Sequence, residues 1–223
     1  MKTLAIVSQK GGAGKTTLAI HLAVAATHTS MNTAVIDLDP QASSAKWADR
    51  RTAELPVVIS AHASRLTQVL DTIRSTGGEL ALIDTAPHSD NAALEAARVA
   101  DVVLVPCRPS ILDLEAIANS LDIAKLAKKP ATVILNAVAP SGTEADEAVE
   151  AIVQLGGEAC PIRLVHRVSY ARAIVYGKAA QEYEPYGKAA REIDALYKFV
   201  CAHYHIFTRA QGGNKHEQIR RRA

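Results

Sequence analysis

The sequence predicts an α/β fold, a twisted and mostly parallel sheet of about seven or eight strands with helices on both faces. Three observations predict it. Short apolar runs alternate along the chain with longer segments of helical spacing. Nearly half of the 223 residues (48%) are apolar but only 4% are aromatic. The apolar bulk is Ala, Val, Ile and Leu, which suits parallel strands covered on both sides. The first apolar run also passes into a glycine loop that opens the first helix. No internal repeat or long linker interrupts this pattern. One domain is expected over residues 1–207, with 208–223 a polar, basic tail too poor in apolar residues to pack.

The first strand is Leu4-Ala5-Ile6-Val7, and the helix that follows spans Leu18 to Ala26, apolar apart from His21. Between them lies Gln9-Lys10-Gly11-Gly12-Ala13-Gly14-Lys15-Thr16-Thr17. Strand, glycine loop and helix are what a phosphate cradle needs. Glycines let the backbone curl tightly and turn its N–H groups toward phosphate oxygens, and the helix N-terminus adds partial positive charge. Gly11, Gly12, Ala13, Gly14, Lys15, Thr16 and Thr17 are therefore the candidate nucleotide contacts. Lys15 can reach the β- and γ-phosphates, and the Thr16 hydroxyl can ligate Mg²⁺. Against the pattern G-x-x-x-x-G-K-[ST], Gln9 stands where the first glycine belongs, and Lys10 is an added cation.

The second strand, Thr33 to Leu38, runs into Asp39-Pro40-Gln41. Pro40 stops the strand, so Asp37 and Asp39 sit at its C-terminal edge, where open parallel sheets bind ligands. A helix from Ser43 to about Thr52 carries Trp47 as a packing anchor. Val57-Val58-Ile59 is a short strand, Leu66, Val69, Leu70 and Ile73 face one side of a helix, and Gly77-Gly78 ends it. Leu80 to Ile83 then run into Asp84, a strand that delivers a carboxylate for Mg²⁺ or its water, with Thr85-Ala86-Pro87 continuing and His88 a loop residue. A helix (Asn91–Val99), a strand (Val102–Val105), the stiff turn Pro106-Cys107-Arg108-Pro109 and a helix (Ile111–Ala127) follow. The strand Ala131 to Asn136 ends in an asparagine able to match an adenine edge or to cap a turn. The helix from about Thr143 to Leu155 begins with acids that complement its dipole. The last helix carries Lys188, Arg191 and Lys198 and runs to about Phe207, with Lys188 and Arg191 on one face.

The box K-G-G-x-G-K-[ST]-[ST], the D-x-D-P-Q segment and the apolar strand ending in Asp84-Thr85-Ala86-Pro87 occur in order, and together they resemble the ParA/MinD group of deviant Walker A P-loop ATPases. The resemblance covers about residues 1–205 and is nearest the short ParA partition ATPases, because the chain begins at the first strand with no helix-turn-helix before it. It implies ATP and ADP as ligands with Mg²⁺ held by Thr16, Asp37 and Asp84. It implies a sandwich homodimer in which Lys10 reaches the other subunit's nucleotide, with Lys10, Lys15 and Asp39 serving catalysis and Asp39 positioning or deprotonating the attacking water. Asn136 and the loop at Pro161 would frame the adenine. Non-specific DNA would be held by Arg163, Arg167, Arg172, Lys188 and Arg191, and a ParB-like centromere-binding partner would trigger slow hydrolysis and release. The location implied is cytoplasmic and nucleoid-associated. A cargo-positioning or conjugation-accessory ATPase with the same engine remains open. A metabolic amide-forming P-loop enzyme or a MinD-like positioning ATPase fits less well.

Charge and cysteine usage narrow the choice. Residues 1–160 hold 13 Lys/Arg against 18 Asp/Glu, while residues 161–223 hold 12 against 5. An acidic body with a basic last quarter suits a polyanion partner, and equally a solvated face. Cys107, Cys160 and Cys201 are widely spaced, odd in number and without a C-x-x-C pair, which argues against a disulfide framework, a zinc site or an iron–sulfur cluster and fits a reducing compartment. No secretory leader and no membrane-length apolar run is seen, and Ile219 alone gives the tail no apolar face for membrane anchoring.

Overall fold

The computed structural model describes residues 1–206, apart from the side chains of residues 111, 112 and 115. Phe207 and the tail expected over 208–223 lie outside the described residues. The strands are β1 (Lys2–Ile6), β2 (Thr33–Asp37), β3 (Val57–Ser60), β4 (Leu80–Asp84), β5 (Val102–Cys107), β6 (Ala131–Leu135) and β7 (Glu158–Ala159). The helices are α1 (Lys15–His28), α2 (Ser43–Ala48), α3 (Leu66–Ser75), α4 (Asp90–Val99), α5 (Ile111–Ala127), α6 (Glu144–Gln154), α7 (Val168–Val175), α8 (Ala180–Tyr183) and α9 (Lys188–His203).

The strands form one sheet in the order β3-β2-β4-β1-β5-β6-β7, every pairing parallel. Alternate residues of each strand serve opposite faces. Along β1, Ala5 joins the layer packed by α3, α4, α5 and α6, whereas Leu4 and Ile6 join the layer packed by α1, α7 and α9. On α9 the buried residues Ala189, Ile193, Leu196 and Val200 follow helical spacing, leaving Lys188, Arg191 and Lys198 exposed. Trp47 is fully buried beside Ile20, Val24 and Ala179, and its indole N–H donates to the Lys178 carbonyl at 3.1 Å.

The register places the site. Ile6 of β1 and Asp37 of β2 both stand opposite Asp84 of β4, so the glycine loop and both strand-end carboxylates leave the sheet at one edge. Three elements were not expected from sequence. β7 is a two-residue edge strand, and α7 and α8 are eight and four residues long, too short for a periodic apolar face to declare itself. α2 ends at Ala48, before the expected Thr52, and α9 ends at His203.

Candidate nucleotide and cation site

The phosphate loop is held by its own backbone and by the end of β6. Gly14 caps α1 at φ 100°, a left-handed conformation that side chains resist. A Cβ there would also lie 2.0 Å from Asn136 Nδ2, so only glycine fits. Asn136 donates from Nδ2 to the Ala13 carbonyl at 2.8 Å, which ties the end of β6 to the loop. Lys15 is 6% exposed and curls back over the loop, donating from Nζ to the carbonyls of Ser8 (2.9 Å) and Lys10 (3.2 Å). Burial lowers its pKa, an effect opposed by Asp84 and Asp39. Both carbonyl contacts can be exchanged for phosphate oxygens, which would satisfy the ammonium more strongly.

Asp84 forms the floor. It is fully buried, and burial pushes its carboxyl up to about 7, although hydrogen bonds from Thr16 and Ser44 and the charge of Lys15 pull the other way. Ser44 donates to Asp84 Oδ2 at 2.9 Å, and Oδ1 has no hydrogen-bond partner among the described residues. A buried carboxylate oxygen left unpaired beside a threonine hydroxyl fits a hydrated cation. Among the described residues no three His, Cys, Asp or Glu side chains converge on a metal position. The Thr16–Asp84 pair therefore suits Mg²⁺, which keeps several waters and takes phosphate oxygens as ligands.

Asp37 also has a structural part. Its Oδ1 accepts the Asp39 amide and its Oδ2 the Ala45 amide, each at 3.1 Å. Both oxygens thus hold the turn that carries Asp39 and the start of α2, and burial raises its pKa. Asp39 lines the cavity with one oxygen accepting the Gln41 amide at 2.8 Å. Asp84 is the carboxylate with an unpaired buried oxygen, and Asp37 fixes the neighbouring Asp39 turn.

A cavity of about 470 Å³ opens over the loop. Lys15, Thr16, Asp39, Arg108, Asn136 and the Val165–Arg167 segment all line it. Pro161, expected beside the adenine, is not part of this wall; the far rim is formed a few residues later. Asn136 does face the cavity, while its amide nitrogen is engaged by the loop. Lys10 contributes its carbonyl to Lys15.

The five basic residues expected to bind DNA separate into two groups. Arg167, Arg172 and Lys188 line one groove of about 380 Å³, together with Glu184. Arg163 instead pairs with Asp146 at 2.6 Å, and Arg191 donates to the Tyr186 carbonyl at 2.8 Å. Arg167 lines both the groove and the nucleotide cavity, but its guanidinium is held by Glu192 at 2.5 Å. Arg172 and Lys188 have no side-chain partner among the described residues.

The sequence singled out neither Ser44 nor the strut behind the loop, and it marked Arg108 only as part of the stiff turn from Pro106 to Pro109. In that strut His21 contacts the Thr17 carbonyl through Nδ1 at 2.7 Å and meets the Tyr170 ring edge-on at 5.2 Å. Tyr170 then donates to Glu192 at 3.0 Å, which holds Arg167. His21 was visible as the single polar residue of an apolar helix, but its partners come from a distant part of the chain. Gln9, out of place in the general loop pattern, bonds Asp90 at the start of α4.

Over residues 4–180 the chain matches the family described as the CobQ/CobB/MinD/ParA nucleotide binding domain. It is 33% identical over 204 residues to Maintenance of carboxysome distribution protein A of Gloeobacter kilaueensis, covering 90% of this chain and 92% of that protein. It is 27% identical over 223 residues to Protein ParA of Rhizobium radiobacter, covering 94% and 99%. Among solved structures, the septum site-determining protein MinD complexed with Mg-ADP from Pyrococcus horikoshii OT3 shares the fold with a TM-score of 0.73 at 17% identity, over 89% of this chain and 95% of that one.

Proposed function

The chain belongs to the CobQ/CobB/MinD/ParA family as a P-loop ATPase that uses ATP and Mg²⁺, and on that premise we propose that it is a DNA-tethered switch that positions or partitions a cargo. Lys15 exchanges its loop carbonyls for phosphate oxygens, and Thr16 and Asp84 hold the hydrated cation. When bound, Mg²⁺ neutralises charge on the phosphates. Asp39, fixed by the Asp37 turn, orients the attacking water. Two ATP-loaded copies close face to face with Lys10 supplied to the opposite nucleotide. The closed pair holds non-specific DNA through unpaired cations of the last quarter, and a ParB-like partner releases it by stimulating hydrolysis.

One observation carries this reading. The nucleotide cavity and the basic groove share the His166–Arg167 segment, which gives a route by which nucleotide could act where a polyanion would sit. No described helix is long and apolar enough to cross a membrane. The test is binding to random-sequence duplex DNA with no nucleotide, ADP or ATP, across a salt series. Salt-sensitive binding that needs ATP and disappears in Lys10→Ala and Lys15→Ala supports the switch. No DNA binding in any state, despite an ATP-dependent dimer, would rule out a DNA tether.

A second reading keeps the engine and changes the cargo. The 33% match along nearly all of a carboxysome-distribution protein favours a protein body as cargo, served by its own adaptor, over a replicon. Deleting the gene separates the two. A replicon cargo is lost from dividing cells, whereas a protein body is misplaced while the DNA is retained.

A further inference from the structure

The turn after β5 holds an arginine whose head is unused. Its backbone is closely fixed. The Cys107 carbonyl accepts the Asn136 amide at 2.7 Å, and the Arg108 carbonyl accepts both the Ser110 amide (2.8 Å) and the Cys107 thiol (3.0 Å). Pro106 and Pro109 flank it and stiffen the turn. β5 pairs directly with β1, and the Val7 amide continues that pairing onto the Leu104 carbonyl at 3.0 Å. The turn therefore emerges beside the glycine loop.

The side chain lines the nucleotide cavity. Gly12, at φ 75°, brings its backbone so close that a Cβ placed on it would sit 3.5 Å from Arg108 Nη2. The guanidinium has no hydrogen bond or ion pair among the described residues. Arg51, Arg163, Arg167 and Arg191 are all engaged, so an unengaged arginine over the phosphate loop stands apart.

We propose that Arg108 is a phosphate-binding residue of the nucleotide site, acting within its own subunit beside Lys15 and selecting the triphosphate over the diphosphate. The role rests on the ATP reading of the cavity. Lys15 is a buried point charge rooted in α1 and turned back onto the loop carbonyls. Arg108 lies beside Gly12 and lines the same cavity as Lys15 and Asp39. A planar fork there can take two oxygens of the outermost phosphate at once. With a rigid backbone and an unpaired head, binding costs little beyond fixing one side chain. A diphosphate, one phosphoryl group shorter, leaves that fork without a partner.

The experiment titrates fluorescent ATPγS and ADP into wild type, Arg108→Ala and Arg108→Lys, each with Mg²⁺ and each checked by thermal melting. It is run at protein concentrations below and above the onset of dimerisation, measured by light scattering. Arg108→Ala should weaken ATPγS roughly tenfold to a hundredfold and ADP less than about threefold. Arg108→Lys should fall between, because it keeps the charge and loses the fork. Unchanged affinities, or equal losses for both nucleotides, would overturn the proposal. A loss confined to concentrations that support dimers would place Arg108 on the partner's nucleotide and overturn the assignment to its own. Wild type that binds neither nucleotide would instead remove the ATP reading itself.

Discussion

The floor of the nucleotide site and the basic groove beside it are built on opposite rules. On the floor, polar side chains are buried and their partners come from neighbouring strand ends. Lys15 bonds two loop carbonyls, Asp84 takes Ser44, and Asp37 takes two backbone amides. In and beside the groove, Arg172 and Lys188 are exposed, while Arg167 in the groove and Arg163 outside it are neutralised by Glu192 and Asp146, acids 25 and 17 residues away in sequence. A buried polar group costs stability unless it is paired, so the floor is fully determined by its own geometry. An exposed ion pair contributes little to stability, so the groove is free to spend or keep its cations. What matters for binding there is which charges remain unpaired.

The largest effect should come from the floor. Lys15→Ala should lower ATP turnover roughly 100- to 1000-fold, the size seen when a preorganised donor to a reacting phosphate or oxyanion is lost. Steady-state phosphate release measures it. Turnover within tenfold of wild type would mean that the buried lysine is a structural strut, and the contrast between floor and groove would collapse.

The next effect sharpens the contrast by pH. His21 donates from Nδ1 to the Thr17 carbonyl, and Nε2 is buried with no partner among the described residues, so burial holds its pKa near 4. The unfolded chain takes up that proton near 6.5, so His21 supplies stability that is complete above pH 6.5 and lost as pH falls toward 4. Asp84 has the opposite sign. Its folded value is raised to about 7, so the folded state binds the proton first, and stability is lost as pH rises through 7. Asp37, also raised by burial, acts with Asp84. From pH 7 to pH 5 each of the two larger contributions amounts to ~2 kcal/mol, in opposite directions. Urea unfolding without Mg²⁺ should therefore show a flatter pH profile for wild type than for either variant. Asp84→Asn should lose stability on acidification, and His21→Leu should gain it. At pH 8 without Mg²⁺, Asp84→Asn should melt several degrees above wild type, and Mg-ATP should reverse that order. Parallel profiles for all three proteins would mean that the floor is hydrated rather than dry.

Sequence disclosed the floor because its chemistry is local. Lys15, Thr16 and Asp84 lie at strand ends or in one loop, and strand, turn and helix signals place such residues without knowledge of distant contacts. The sheet was legible for the same reason, as each short apolar run became a strand while the long run Leu18 to Ala26 became α1. Two kinds of feature were hidden. Short elements such as α8 and β7 carry too few residues to show a period. Contacts between remote segments have no local signal at all. Ser44 reaches Asp84 across 40 residues, and Asn136 reaches Ala13 across 123. Asp37 reads as a metal ligand because it shares an edge with Asp84, and only the fold reveals that it also accepts the Asp39 and Ala45 amides.

The smallest effects belong to the groove, and they test whether charge accounting there is right. A phosphate contact by an unpaired cation releases a counterion, so each true contact lowers the salt slope by about one when removed. Arg172 and Lys188 are exposed, unpartnered among the described residues and share one groove. Arg172→Ala and Lys188→Ala should each weaken ATP-dependent DNA binding several-fold at low salt and flatten the slope by about one unit. Arg163→Ala removes a cation already matched by Asp146, so it should change affinity less than about twofold and leave the slope unaltered. Arg167→Ala should behave differently again. It frees Glu192 beside the groove, adding a repulsive carboxylate, so its loss should exceed that of Arg163 even though its own charge was neutralised. Fluorescence anisotropy of a labelled duplex at several salt concentrations reads all four variants. Equal losses would mean that the groove acts as a diffuse positive face and that pairing does not select its contacts. The graded series would mean that the groove's polyanion site is defined by the cations its own acids leave free.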